Sequence, residues 1–173
     1  MTCSSVYSPS WSFNVNVTPA INLLKKRKID HKIHSFKHDP QFGAYGDEVV
    51  KKLNFPAERV FKTIIVSLDG NPKNLCGAIV PVTGLTDLKH VAKAAKAKKA
   101  AMADPKVAER ATGYITGGIS PVGHKKRLPL FMDTSALEFD TILVSAGKRG
   151  LELEISPAAL IEATGASPSP IHK

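Results

Sequence analysis

The stretch that decides the fold reads Val60-Phe61-Lys62-Thr63-Ile64-Ile65-Val66-Ser67-Leu68, then Asp69-Gly70-Asn71-Pro72, then an apolar run from Leu75 to Val82. β-Branched and aromatic residues crowd the first segment, a turn cluster breaks it, and a second strand-forming segment runs back. Such an antiparallel hairpin argues against a regular doubly wound fold, in which parallel strands alternate with helices. Lys62 lies inside the first strand, where a lysine either snorkels to the surface or lines a pocket.

On both sides of the hairpin the chain alternates between short helices and strands. Upstream, Thr18 can cap a helix with Pro19 at its first position, Ile21, Leu23 and Leu24 give it an apolar face, and Lys25-Lys26-Arg27-Lys28 close it where cations suit the helix dipole. Ile29 to Phe36 reads as a strand and Asp47 to Leu53 as a short helix stopped by Asn54 and Pro56. Downstream, Thr86 or Asp87 opens an Ala- and Lys-rich helix from Leu88 to about Lys96, and Asp104-Pro105 opens another that Gly113 ends. Leu128 to Met132, Thr141 to Ser145 and Leu151 to Ile155 read as strands, and Ser156-Pro157 caps a last helix that Gly165 ends. The predicted fold is α/β (α+β): a mixed, partly closed, barrel-like sheet with peripheral helices. Residues 18–165 form the domain, residues 1–17 an uncharged, Ser-rich extension expected to be poorly ordered, and residues 166–173 a frayed tail.

Between the helix ending at Gly113 and the next strand lies Thr112-Gly113-Tyr114-Ile115-Thr116-Gly117-Gly118-Ile119-Ser120-Pro121-Val122-Gly123, with Lys125-Lys126-Arg127 behind it. Gly117-Gly118 allows close approach of a ligand to the backbone and lets successive N–H groups point one way, which makes an anion or oxyanion site. The same pair also serves a tight turn, so the loop alone leaves both readings open. Ala146-Gly147-Lys148-Arg149-Gly150, which joins two strands, meets a phosphate or merely turns the chain.

At 173 residues the length is that of one domain with a real core, and no apolar run approaches the roughly 20 residues that a membrane helix needs. A net charge of +9, from 24 Lys and Arg against 15 Asp and Glu, fits a polyanionic partner such as nucleic acid, or simply a basic surface. Cys3 and Cys76 are far apart and read as free thiols of a cytoplasmic protein. His31, His34 and His38 have no companion cysteine or carboxylate cluster, so neither a metal nor a cofactor is expected.

Taken in order, these residues resemble the YbaK/EbsC family of free-standing deacylases that clear mischarged tRNA. The likeness is carried by Thr18-Pro19-Ala20, His38-Asp39-Pro40, Gly46-Asp47-Glu48-Val49-Val50-Lys51-Lys52-Leu53 and Phe61-Lys62-Thr63. It continues through Met102-Ala103-Asp104-Pro105, Thr112-Gly113-Tyr114, Gly117-Gly118-Ile119-Ser120-Pro121 and Val144-Ser145-Ala146-Gly147-Lys148-Arg149-Gly150-Leu151. The set is most similar to the subgroup acting on cysteinyl-tRNA(Pro), a fold shared with the editing domain of bacterial prolyl-tRNA synthetases.

The resemblance implies a pocket lysine, Lys62, and a carbonyl-binding loop at Gly117 and Gly118. Ile119, Ser120, Ser145 and Glu152 fall at pocket-proximal positions, and Phe36 stands where the family has a pocket tyrosine. Lys125, Lys126, Arg127, Lys148 and Arg149 are the candidate contacts to tRNA phosphates. The implied partners are mischarged tRNA and prolyl-tRNA synthetase, with no membrane. No protein nucleophile is evident in the sequence, which leaves attack by the substrate's own thiol or by water. Two other functions stay open at this point: the same fold acting on another small aminoacyl group such as alanyl, and a non-catalytic module binding tRNA or nucleotide.

Overall fold

Two sheets and five helices organise residues 17–173, which are the residues described by the computed structural model. Apart from Val17, the extension expected at residues 1–17 lies outside the described residues. The elements are α1 (Pro19–Lys26), β1 (Lys32–Ser35), α2 (Tyr45–Leu53), β2 (Phe61–Leu68), β3 (Asn71–Pro81), α3 (Leu88–Ala94) and β4 (Ala100–Met102). They continue as α4 (Pro105–Thr112), β5 (Leu130–Asp133), β6 (Ile142–Lys148), β7 (Leu151–Ile155), α5 (Pro157–Thr164) and β8 (Ser167–Ser169).

The strands divide into a three-stranded sheet, β1-β7-β6, and a five-stranded sheet, β4-β2-β3-β5-β8. The hairpin read from residues 60–82 is the antiparallel β2–β3 pair, with Lys62 opposite Val80. The pairs β3–β5 and β5–β8 are parallel, so the larger sheet is mixed. A single bridge between Val60 and Leu143 links the two sheets, which do not form a closed barrel.

Capping follows the sequence. The Thr18 hydroxyl accepts the Ile21 N–H, Asp87 accepts from Lys89 and His90, Asp104 from Lys106, and Ser156 from Ala159. Helices α1, α4 and α5 cover the main core of Ile21, Leu24, Ile79, Met132, Ile142, Val144, Leu153 and Leu160. Helix α3 covers a second cluster around Val66, Ala78, Val80 and Val91, while α2 closes a third around Val49, Val60 and Leu143.

The C-terminal residues, expected to fray, instead finish the larger sheet. Phe131 and Asp133 of β5 pair with Ser167 and Ser169, the Ile171 side chain is fully buried, and the Ile171 N–H donates to Asp133 Oδ1 at 3.0 Å. The short Ser-Pro-Ser segment has no strand-like composition; its place is set by the open edge of β5 and by the one isoleucine behind it.

Candidate active site

The site opens where β2 lacks a neighbour. Along one edge β2 pairs with β3 throughout. Along the other it meets β4 only at Val66–Leu68 and β6 only through the Val60 bridge. Residues Phe61 to Ile65 therefore border a gap, and a cavity of about 630 Å³ fills it. Lys62 is exposed there, so the strand lysine does line a pocket. The walls opposite come from Tyr45 and Asp47 of α2, from Thr116, Gly117 and Ile119 of the glycine loop, and from Ser145 and Glu152 of the smaller sheet.

The glycine loop is pinned from several sides. Gly113 ends α4 with φ +81°, the Tyr114 hydroxyl donates to Val122 O at 2.7 Å, and the Lys125 and Lys126 N–H groups donate to Thr112 O and Ala111 O. Ser145 couples the loop to the β6–β7 hairpin: its hydroxyl donates to Gly118 O and accepts the Gly147 N–H, both at 3.1 Å. Gly117, with φ +91°, adopts a backbone conformation that favours glycine, and the Arg149 guanidinium lies where a Cβ would stand.

The loop's donors are not the pair expected from sequence. The Gly118 N–H is spent inside the turn, donating to Ile115 O at 2.9 Å, and Gly118 is buried and absent from the cavity wall. Gly117 and Ile119 do line the cavity, and their N–H groups make no hydrogen bond among the described residues. The unbonded amides at the cavity wall are thus those of 117 and 119, not of the consecutive pair 117 and 118.

Two other residues expected at the pocket stand elsewhere. Ser120 is fully buried and its hydroxyl accepts the Val122 N–H, so it shapes the loop and touches no cavity. Phe36 also lies outside the cavity wall, stacked on the Tyr45 ring with centroids 6.1 Å apart. The reason is its position just beyond β1, where the Phe36 N–H donates to Gly150 O and the ring turns towards α2.

Tyr45 was not singled out in the sequence, yet its hydroxyl donates to Glu152 Oε1 and accepts the Gly150 N–H, both at 2.8 Å. Glu152 is 2% exposed; burial pushes its pKa up to about 8, against the pull of the Tyr45 hydrogen bond. Thr63 was missed as well: it lines the cavity, and its hydroxyl is the one buried side-chain polar atom without a partner among the described residues.

Behind the site, buried Glu48 takes the Asp39 N–H, His38 and Lys52 and so fixes the His38-Asp39-Pro40 turn. Burial alone would raise its pKa, but these partners together bring it down to about 2. The cations divide into two groups. Lys148 and Arg149 are exposed at the hairpin turn, with Arg149 leaning over Gly117 and 5.6 Å above the Tyr45 ring, at the cavity's rim. Lys125, Lys126 and Arg127 are exposed beyond the loop and do not line the cavity. Among the described residues no cluster of His, Cys, Asp and Glu could hold a metal ion, and no helix is long and apolar enough to cross a membrane.

A family model, the aminoacyl-tRNA editing domain, matches residues 41–163. The chain belongs to the aminoacyl-tRNA editing family. It is 35% identical over 147 residues to EbsC of Enterococcus faecalis, described as a candidate Cys-tRNA(Pro)/Cys-tRNA(Cys) deacylase, covering 85% of this chain and 88% of that one. In fold, this editing domain is similar to a crystal structure described as a candidate trans-editing enzyme for prolyl-tRNA synthetase (TM-score 0.77, 19% identity, 91% and 99% of the two chains). It also matches a scaffold from a study of epitope backbone grafting by computational design (TM-score 0.78, 18% identity, 90% and 95% of the two chains). The matched region of the editing domain contains every cavity residue named above, from Tyr45 to Glu152.

Proposed function

We propose that this editing domain is a trans-acting deacylase of mischarged aminoacyl-tRNA, with Cys-tRNA(Pro) as its preferred substrate, working in translational quality control. The reading is carried by one observation: in a chain of the editing family, Lys62 and the Gly117 backbone face one cavity of about 630 Å³. That volume suits an aminoacyl ester on a terminal ribose. The preference for cysteine and for tRNA(Pro) follows the name of the 35% identical relative.

Attack on the ester carbonyl builds negative charge on its oxygen. The Gly117 and Ile119 N–H groups are the donors for that charge, each worth about 3 kcal/mol of barrier. Lys62 adds a cation that orients the ribose or terminal phosphate and assists the same oxygen. Glu152, the buried acid of the cavity, suits the substrate's α-amino group, and Ser145 holds the loop at its working distance.

The cavity presents no thiol, and none of its aliphatic hydroxyls, Thr63, Thr116 and Ser145, is hydrogen-bonded to a side-chain base among the described residues. Cys76 is buried in β3 outside it, and burial raises its thiol to about 11. The substrate's own thiol fills the role of nucleophile. Its sulfur bonds to the carbonyl carbon, the ester C–O bond breaks, and the thiol proton ends on the ribose oxygen, leaving a thiolactone and free tRNA. Such an intramolecular step gains chiefly from orientation.

Arg149 and Lys148 at the rim are the proposed contacts to the acceptor-end phosphates, with Lys125, Lys126 and Arg127 further along the backbone. Prolyl-tRNA synthetase, which handles tRNA(Pro), is the proposed partner, and the cytoplasm the proposed compartment. The test is a deacylation panel with cysteinyl-, alanyl-, seryl- and prolyl-tRNA. Release of cysteine well above the spontaneous rate, and faster than of serine, is expected. Equal rates for serine and cysteine would refute thiol attack, and no release from any of the four would refute the deacylase reading.

A further inference from the structure

The Phe36–Tyr45 stack carries a consequence for the chemistry of the pocket. Position 36 brings a ring without a hydroxyl, and that ring lies outside the cavity. The residue stacked on it lies inside, and its hydroxyl joins the start of α2 to one stretch of the smaller sheet more than 100 residues downstream. One partner is the carboxyl of Glu152; the other is the Gly150 N–H, which ends the hairpin turn bearing Lys148 and Arg149.

We propose that Tyr45 is the positioning residue of this active site: its hydroxyl, rather than one at position 36, aims the Glu152 carboxyl into the cavity and fastens the 147–150 turn to the start of α2.

Four observations carry the assignment. Both hydrogen bonds are 2.8 Å long and use the hydroxyl once as donor and once as acceptor, so its orientation is fixed. Glu152 has no other side-chain hydrogen bond among the described residues, so without Tyr45 a buried carboxyl loses its only fixed partner. The ring itself is held on three sides: by Phe36, by His38 edge-on at 5.7 Å, and by the Arg149 guanidinium at 5.6 Å. Gly46, immediately after it, packs so closely on Val82 that a Cβ would stand 2.8 Å from the Val82 Cγ1, which sets the entry of α2 and with it the direction of Tyr45.

The charged and titratable groups that surround the pair come from every wall. Lys62 on β2 and Asp47 on α2 share the cavity, and Glu48 and His38 lie behind the Tyr45 ring. Arg149 lies over that ring, and His34 is the β1 register partner of Glu152 but turns its imidazole to Glu154 at 2.8 Å. Tyr45 is thus the only one of these side chains hydrogen-bonded to Glu152. The Tyr45 bond favours the ionised carboxyl, so its loss moves Glu152 further into the protonated form.

This inference deepens the deacylase reading and rests on it for the meaning of "active site", but its test has a readout of its own. The Glu152 carboxyl is titrated by ¹³C NMR in the full chain and in Tyr45→Phe. Single-turnover release of cysteine from Cys-tRNA(Pro) is followed from pH 6 to 9 in both, in Glu152→Gln and in the double variant. The Glu152 midpoint is expected to rise in Tyr45→Phe, the deacylation rate at neutral pH to fall about tenfold, which is the worth of one ordinary hydrogen bond, and the double variant to be no slower than Glu152→Gln alone. An unchanged Glu152 midpoint overturns the proposal whatever the activity does, and so do losses that multiply in the double variant. If the midpoint moves while the unaltered chain releases no cysteine, the Tyr45–Glu152 coupling stands and the deacylase reading falls.

Discussion

Lys62 and Glu152 face one cavity from different sheets, and their side chains contribute differently to the molecule. Lys62 is exposed on its strand, so its ammonium group adds little to the fold. Lys62→Ala is expected to lower the deacylation rate at least about a hundredfold, as loss of a charge aimed at the reacting oxygen does. Its unfolding free energy should stay within about 0.5 kcal/mol of the unaltered chain, measured by denaturant titration. Glu152 is a stability group as well as a site group. Its pKa is about 8 in the fold against an ordinary 4.5, so the native state holds a proton that the unfolded chain releases between those values. That contribution is complete below about 4.5 and is lost as pH rises towards 8. Melting curves between pH 5 and 8 should therefore show a decline with pH that Glu152→Gln flattens. Glu48, held down at about 2, acts in the other window, where stability is lost as pH falls below 4.5, and leaves this comparison untouched.

Among the elements, the glycine loop and the β6–β7 hairpin act as one unit through Ser145. Replacing Ser145 by alanine removes a hydroxyl that bonds both Gly118 O and the Gly147 N–H. A stability loss of about 1–3 kcal/mol is expected in denaturant titration, since one buried and one half-buried backbone group lose their partner. Activity should fall further than stability, because the loop's free N–H groups lose their register against the cavity. This scale also shows where sequence reading stops. Helix caps at Thr18, Asp87, Asp104 and Ser156 are local chemistry, and the structure has them as the sequence predicts. Which loop amide is free is not local: it depends on the Gly118 N–H folding back on Ile115 O, and composition holds no trace of that. The same holds for Tyr45. Nothing within its own stretch of chain marks it, because its two partners lie more than 100 residues downstream.

At the scale of the whole molecule, the larger sheet depends on its last strand. Ile171 is fully buried beside Val66, Ala78 and Val80, and residues 167–169 pair with β5. Burying one isoleucine is worth about 1.5–3 kcal/mol. Deleting residues 167–173 should lower the melting temperature by about 10 °C, because strand pairing is lost with it. A calorimetric scan of the truncated chain checks this; an unchanged melting point would show that β8 is an ornament of the sheet. The mixed fold was legible from the hairpin at 60–82, but the parallel β8 was not, since Ser-Pro-Ser carries no strand signal and gains its place from the edge it covers.

The cavity is assembled from α2, β2, the loop after α4 and the smaller sheet, stretches that span positions 44 to 152. No contiguous peptide of this chain reproduces it. A molecule that enters the gap beside β2 therefore recognises only folded chains, and mass action ties its occupancy to the melting point of the entire domain. Short acceptor-stem mimics and aminoacyl-adenosine esters with non-cleavable linkages can accordingly be ranked by thermal shift alone, before a single charged tRNA has been prepared.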